Sequence, residues 1–114
     1  FVVLDLEESL NYLGRVEYAL FLKVIKSVTD YLSEKSGAVG LTAYYDPPET
    51  SDLVQFRVRT ARGVNGIDLR SLLADLSITD GGGHPGAIAF RIPKGELTDL
   101  RGFVKRLLER LENL

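Results

Sequence analysis

The chain has 114 residues, of which 45% are hydrophobic and 26% charged, and this is the size and composition of one soluble globular domain. Its 14 basic and 16 acidic side chains give a net charge of -2, which argues against a strongly cationic nucleic-acid binder and against a membrane-surface protein. The absence of cysteine excludes disulfides, thiolate catalysis and sulfur-ligated metal sites, so we expect a protein of the cytoplasm.

The first third of the chain predicts a helix. The opening "FVVLDL" suits either a short strand or a linker docked on the core. From about Val16 the spacing is helical, and the helix should end near Gly37, which can adopt a left-handed conformation. Its polar side chains form one narrow stripe, so we expect a largely buried helix whose apolar side comprises Val16, Leu20, Val24, Val28, Tyr31 and Leu32.

The middle of the chain predicts two strands and a turn. "AVGLTAYYD" is typical of a strand, and "DPPETSD" of a turn because it contains two prolines. In "LVQFRVRT" the residues alternate, with Val54, Phe56 and Val58 on one face and Gln55, Arg57 and Arg59 on the other. We expect the two strands to form an antiparallel hairpin.

The second half predicts further helices and strands. Asp68 can cap a short helix with leucines at helical spacing, and "AIAFRI" is typical of a strand. A closing amphipathic helix is indicated by Leu97, Leu100, Val104, Leu107, Leu108 and Leu111. The predicted fold is a single α/β domain over residues 1–114, a mixed β-sheet of about four to five strands with helices packed on it.

The stretch "TDGGGHPGAIAF" places three glycines before the only histidine of the chain. Gly81, Gly82 and Gly83 allow backbone N–H groups to approach an anion, and the ring of His84 can donate to the same anion. This favours a phosphate-binding loop. A flexible turn with His84 on its surface explains the same residues equally well.

Arginines cluster upstream of the glycines. Between Leu53 and Ala74 there are four arginines and one acid, in a chain whose total charge is negative. Arg57 and Arg59 lie on the same face of a predicted strand, and guanidinium groups suit phosphate. A strand face that merely contacts solvent is the alternative. The aromatic residues nearby, Tyr44, Tyr45 and Phe56, could stack on a base but are more often core residues.

No catalytic site is predicted in the chain itself. With one histidine and no cysteine, a metal centre would need several converging carboxylates, and the acids are scattered over predicted helix faces and turns. No nucleophile motif accompanies His84. We therefore predict no catalytic residue and no metal ligand here.

"GGGHPGAIAF" resembles the GGGH-x-x-A-A-G-F signature of the C-terminal domain of DHH-superfamily phosphoesterases, the group of RecJ-like exonucleases and oligoribonuclease/phosphoadenosine phosphatases. The order of strand, short helix, glycine loop, strand and closing helix is similar over the second half of the chain. The resemblance implies that Gly81, Gly82, Gly83 and His84 contact a substrate phosphate together with Arg59 and, less securely, Arg57. Two positions depart from the signature: Ile88 replaces an alanine, and Ala89 replaces the glycine.

The resemblance also implies partners. It suggests a fragment of a longer two-domain phosphoesterase, consistent with a chain that opens with Phe1 and lacks methionine. An N-terminal DHH domain would bind two divalent metals, Mn or Mg, and hydrolyse the ester, while this domain holds single-stranded nucleic acid or a nucleotide. No cofactor is expected in the fragment and no membrane partner. The alternatives are an RNA-binding domain of a tRNA-handling protein and a structural assembly module, neither with a hydrolase role.

Overall fold

The computed structural model describes residues 18–45 and 52–113. The predictions for "FVVLDL" and for most of "DPPETSD" lie outside the described residues. The described chain forms, in order, α1 (Tyr18–Ser36), β1 (Val39–Tyr45), β2 (Leu53–Thr60), α2 (Arg70–Asp75), β3 (Gly81–His84), β4 (Ala87–Pro93), a single 3-10 turn (Lys94–Glu96) and α3 (Leu100–Glu112).

The predicted α/β class is confirmed. The four strands form one sheet in the order β1-β2-β4-β3, with three helices packed on it. One detail of the prediction was wrong, because all three strand pairings are antiparallel and the sheet is not mixed. The reason is local: β3 and β4 are joined by the two-residue turn Pro85–Gly86, and such a short connection permits only antiparallel pairing.

Most local predictions hold. β1 and β2 form the predicted antiparallel hairpin, with Val39 opposite Thr60 and Tyr45 opposite Val54. Gly37 ends α1 with a φ of 70°, the left-handed conformation that the sequence predicted. The predicted cap at Asp68 was wrong: its carboxylate accepts the backbone N–H of Arg70 at 3.0 Å, but the N-cap of α2 is Leu69, which makes no side-chain cap hydrogen bond.

The hydrophobic core lies on one side of the sheet, which we call the core face. The alternating residues Val54, Phe56 and Val58 of β2 point into it, and α2 and α3 cover it with leucines and one phenylalanine. The rings of Phe56 and Phe90 stack with centroids 4.8 Å apart, and Phe103 of α3 contacts Phe56 at 5.2 Å. Burial of each such side chain stabilises the fold by about 1.5–3 kcal/mol, so this cluster fixes α3 on the sheet.

The opposite side of the sheet, the polar face, is covered only in part. α1 packs there mainly on β1 and β2. A Cβ added at Gly40 would lie 2.7 Å from the Thr29 carbonyl oxygen, so the helix backbone approaches the strand very closely. The Thr29 and Thr42 hydroxyls, both fully buried, hydrogen-bond at 2.7 Å. The polar face of β4 and β3 is left beside this helix, and the candidate site lies there.

The prediction that α1 is largely buried was wrong. Its deeply buried residues are Ile25, Thr29 and Ser33, whereas Leu20, Val24 and Tyr31 are exposed by 54%, 49% and 64%. At Thr29 and Ser33 the helix turns small polar side chains to the sheet, because the close approach at Gly40 leaves no room for larger ones there. An apolar strip on α1 is therefore accessible in the described part of the chain.

Candidate functional site

The predicted site residues lie on adjacent rows of the sheet. Strand register places Arg59 opposite Ala87 and Ala87 opposite His84, so these three residues form one row across β2, β4 and β3. Arg57, Ala89 and Gly82 form the next row. Residues that share a cross-strand row point to the same side of the sheet. Both rows therefore lie on the polar face, with arginines on β2 and small residues on β4.

A cleft of about 140 Å³ is formed where these rows meet α1. Its charged side chains are Asp30, Arg57 and Arg59, and it is completed by Gly82, Gly83, Ala87, Ile88 and Ala89. The structure thus brings together four of the six predicted site residues, the two arginines and two of the glycines. The small side chains of β4 let a ligand approach the strand backbone closely.

The remaining two predicted residues lie near the cleft but not in its lining. Gly81 points to the core face, where an added Cβ would lie 2.5 Å from the Cβ of Phe90. His84 is exposed and occupies the end of the Arg59 row. Two strand spacings separate the backbones of Arg59 and His84, roughly 10 Å, so a ligand that contacts both side chains would lie over Ala87.

The glycine stretch is not the loop that the sequence predicted. Gly81–His84 form β3, an edge strand paired with β4. The Asp80 carbonyl accepts the Arg91 N–H at 2.9 Å, and because hydrogen-bonded pairs alternate along an antiparallel ladder, Gly82 and His84 bond to β4. The N–H groups of Gly81 and Gly83 accordingly point away from β4, toward the open edge. The predicted concave nest of successive N–H groups is absent from this strand.

The three glycines of β3 differ in whether the surrounding structure would admit a side chain. Gly83 has a φ of 148°, and an added Cβ would overlap the Ala87 carbonyl oxygen. Gly81 is constrained by Phe90 as described above. A Cβ at Gly82 would contact nothing within 4 Å. Packing therefore explains two of the glycines, whereas the missing side chain at Gly82 only keeps the cleft open.

The turn beside His84 is held firmly by the surrounding chain. The Gly86 carbonyl oxygen accepts two hydrogen bonds from Thr60, one from its backbone N–H at 3.0 Å and one from its side-chain hydroxyl at 3.3 Å. The Pro85 carbonyl accepts the N–H of Leu69 at 2.9 Å. These bonds tie the turn to the end of β2 and to the start of α2, so the backbone that carries His84 is fixed relative to Arg59.

The other arginines of the predicted basic cluster do not line the cleft. Arg70 binds Asp68 through Nε and Nη2, the latter at 2.7 Å from the carboxylate. This side-chain hydrogen bond lowers the pKa of Asp68, against a smaller desolvation effect, and raises the pKa of Arg70. Arg62 is exposed, and its backbone N–H is bound to the Glu34 carboxylate. The local excess of positive charge is thus divided among separate surfaces.

The sequence reasoning missed Asp30. Its carboxylate forms an ion pair with Arg59, with 3.2 Å between Oδ1 and Nε, and the side chains of Asp30 and Arg59 are 39% and 37% exposed. No local pattern marked it, since it is one acid in the polar stripe of a helix. The small residues Ala87 and Ala89 were visible in "AIAF", and their two-residue spacing could have placed them opposite the arginines.

The two departures from the family signature fall on different faces. The Ile88 side chain is 2% exposed and belongs to the core, so its bulk does not narrow the cleft. Ala89 is exposed and lies between Arg57 and Gly82. Only this second departure adds a group to the ligand side, and it adds one methyl.

No model of a known protein family and no curated protein matches the chain. In residues 18–45 and 52–113, no group of three or more histidine and acidic side chains is arranged to hold a metal ion. No helix within those ranges has both the length and the apolar composition needed to cross a bilayer.

Proposed function

We propose that this chain holds the phosphate group of a nucleotide or of single-stranded nucleic acid on the polar face of its sheet. The observation that carries the proposal is the cleft in which Arg57 and Arg59 meet the open backbone at Gly82. Guanidinium groups donate in a planar fork that matches phosphate oxygens, and small residues beside them allow close approach. His84 can donate from the end of the same row.

The arrangement suits holding a substrate rather than cleaving it. Among residues 18–45 and 52–113, Asp30 is the only acid that lines the cleft, and its carboxylate is paired with Arg59. The cleft side chains can neutralise and orient a phosphate, which supports a substrate-binding role within a DHH-type phosphoesterase. In that proposal a separate domain supplies the divalent metals and the hydrolysis, and the parent acts as an exonuclease or oligoribonuclease.

An NMR titration of the 114-residue chain tests the proposal. A nucleoside monophosphate and a short single-stranded oligonucleotide are added at low salt, and amide shifts are followed in the wild type. We expect shifts at Arg57, Arg59 and Gly82. Arg59→Gln should weaken binding about 10- to 150-fold, since a charged hydrogen bond contributes about 1.5–3 kcal/mol, and His84→Ala should also weaken it.

The matched control removes an arginine elsewhere. Arg101 is exposed on α3, on the other side of the sheet, so Arg101→Gln makes the same change in net charge without touching the cleft. Binding that falls equally in Arg59→Gln and Arg101→Gln would indicate non-specific attraction. A wild-type chain that shows no shifts in the cleft would refute the proposal.

One observation favours the alternative of a structural assembly module. Leu20, Val24 and Tyr31 expose an apolar strip on α1, of the kind that contacts between proteins cover. Under this alternative, no ligand shifts the cleft resonances. Instead the chain self-associates in sedimentation at modest concentration, and Val24→Ser reduces that association.

A further inference from the structure

The positive and negative charges of the side chains that line the cleft do not cancel. Among the side chains that line it, Arg57 and Arg59 contribute two positive charges and Asp30 one negative charge, which leaves one positive charge. A ligand that carries one negative charge balances this cleft. The second negative charge of a dianionic ligand is attracted by the two arginines and repelled by Asp30, so the carboxylate reduces the advantage that a dianion has over a monoanion.

Asp30 is held in the cleft wall by rigid packing. It follows Thr29, whose hydroxyl donates to the Ile25 carbonyl at 2.7 Å and bonds to Thr42. The close approach at Gly40 prevents α1 from moving nearer to the strand. The helix backbone that carries Asp30 is therefore fixed on the sheet, and its carboxylate is held beside the cleft by the ion pair with Arg59.

The ion pair also decides which edge of Arg59 is free. Asp30 occupies the Nε position at 3.2 Å, and a guanidinium has further N–H donors on its terminal nitrogens. Those donors remain for a ligand. Asp30 thus orients Arg59 and, at the same time, lowers the positive charge that a ligand meets.

We infer that Asp30 sets the preference of this cleft between an internal phosphodiester and a terminal phosphomonoester, by opposing the second negative charge of the monoester. The inference rests on the proposed phosphate-binding function. A phosphodiester carries one negative charge, whereas a phosphomonoester carries about -1.5 to -2 at neutral pH. By opposing that second charge, Asp30 allows the internal phosphates of a nucleic-acid chain to compete with its phosphorylated end for the cleft.

The test uses two ligands that differ only in charge, a nucleoside 5′-monophosphate and its phosphate methyl ester. Dissociation constants are measured by NMR titration at about pH 7.5, where the monoester is mainly a dianion. The readout is the ratio of the two constants. In the wild type we expect the monoester to bind only slightly more tightly than the methyl ester, because Asp30 opposes its second charge.

Asp30→Asn should change this ratio. Removal of the carboxylate should favour the monoester over the methyl ester by about three- to tenfold relative to the wild type, the effect of one charge at roughly 6 Å in a half-exposed site. Asp30→Glu retains the charge and should behave as the wild type. Asp75→Asn makes the same charge change on α2, outside the cleft, and should leave the ratio unaltered.

Three other outcomes are distinguishable. If both ligands bind through Arg59 but Asp30→Asn leaves the ratio unchanged, the inference is wrong and the proposed function stands. Equal weakening of both ligands by Asp30→Asn would assign Asp30 to the orientation of Arg59 alone, which also overturns the preference. If neither ligand shifts the wild-type cleft, the proposed function itself fails.

Discussion

At the scale of single residues, the three consecutive glycines separate into two kinds. Gly81 and Gly83 have no room for a side chain on the core face, because Phe90 and the Ala87 carbonyl occupy it. Gly82 faces open space beside the arginines. The same residue type is thus required for packing at two positions and for access to the cleft at the third.

This difference predicts opposite phenotypes for two alanine substitutions. Gly83→Ala should destabilise the fold by about 1–3 kcal/mol, because alanine is strained at a positive φ and its methyl would overlap the strand. Gly82→Ala should change stability by no more than about 0.5 kcal/mol yet weaken phosphate binding. Urea unfolding and the ligand titration measure the two effects. Equal stability of Gly83→Ala and the wild type would contradict the edge-strand structure.

The Asp68–Arg70 pair gives a second prediction for single residues. The hydrogen bond from Arg70 lowers the pKa of Asp68 in the folded state, so the pair stabilises the fold above the unfolded-state pKa, and this contribution is lost as the pH falls through the folded-state pKa. Arg70→Gln should raise the pKa of Asp68 toward its ordinary value. A carboxyl-detected NMR pH titration measures it, and an unchanged pKa in the variant would show that Arg70 is not the cause.

At the scale of elements, the position of α1 creates the site. The buried face of the helix combines Ile25 with the small polar residues Thr29 and Ser33, and the helix backbone approaches the sheet most closely at Gly40. Because it covers β1 and β2, the small residues of β4 remain open beside it, and Asp30 forms the wall. A shift of this helix would alter the cleft without any change in the arginines.

The buried hydroxyl pair under α1 predicts that replacing one of its two threonines costs more stability than replacing the other. Thr29 donates to the Ile25 carbonyl, so Thr42 must be the donor to Thr29. Thr29→Val leaves the buried Thr42 hydroxyl without this acceptor and should cost about 1–3 kcal/mol, whereas Thr42→Val leaves Thr29 satisfied and should cost about 1 kcal/mol or less.

Chemical denaturation of both variants and of the double variant measures these costs. In the double variant the decrease in the free energy of unfolding should be smaller than the sum of the two single decreases, since no hydroxyl is left without a partner. If Thr42→Val proves the costlier single change, the assigned direction of the hydrogen bond is wrong.

The elements also show what the sequence could predict. β2 alternates between valine or phenylalanine and polar residues, so its bounds and faces followed directly from a period of two. β3 could not be predicted in this way, because glycines have low strand propensity and carry no face pattern, and its structure depends on pairing with β4. The buried face of α1 could not be predicted from its own sequence either, because it is decided by Gly40, a glycine on another element.

At the scale of the whole molecule, charge and site have to be considered together. The chain carries a net charge of -2, so it is not expected to attract nucleic acid over its whole surface, and the proposed phosphate contacts depend on the two cleft arginines. Sequence reasoning identified both arginines from their shared strand face. The compensating carboxylate of Asp30 could not be found, because it joins the cleft only through the packing of a helix from elsewhere in the chain.

Because the proposed site has only two arginines in a chain of negative net charge, we predict that oligonucleotide binding depends only weakly on salt concentration. Binding of a single-stranded oligonucleotide that neutralises two phosphates should give a slope of log K against log salt of about -1.4, since each phosphate contributes about -0.7 for single strands. The slope is measured by titration at several sodium chloride concentrations. Arg59→Gln should reduce its magnitude by about 0.7, and Arg101→Gln should leave it unchanged because Arg101 lies outside the cleft. A slope several units steeper in the wild type would mean that phosphates are contacted well beyond the cleft, and the two-arginine site would then be only one part of a larger binding surface.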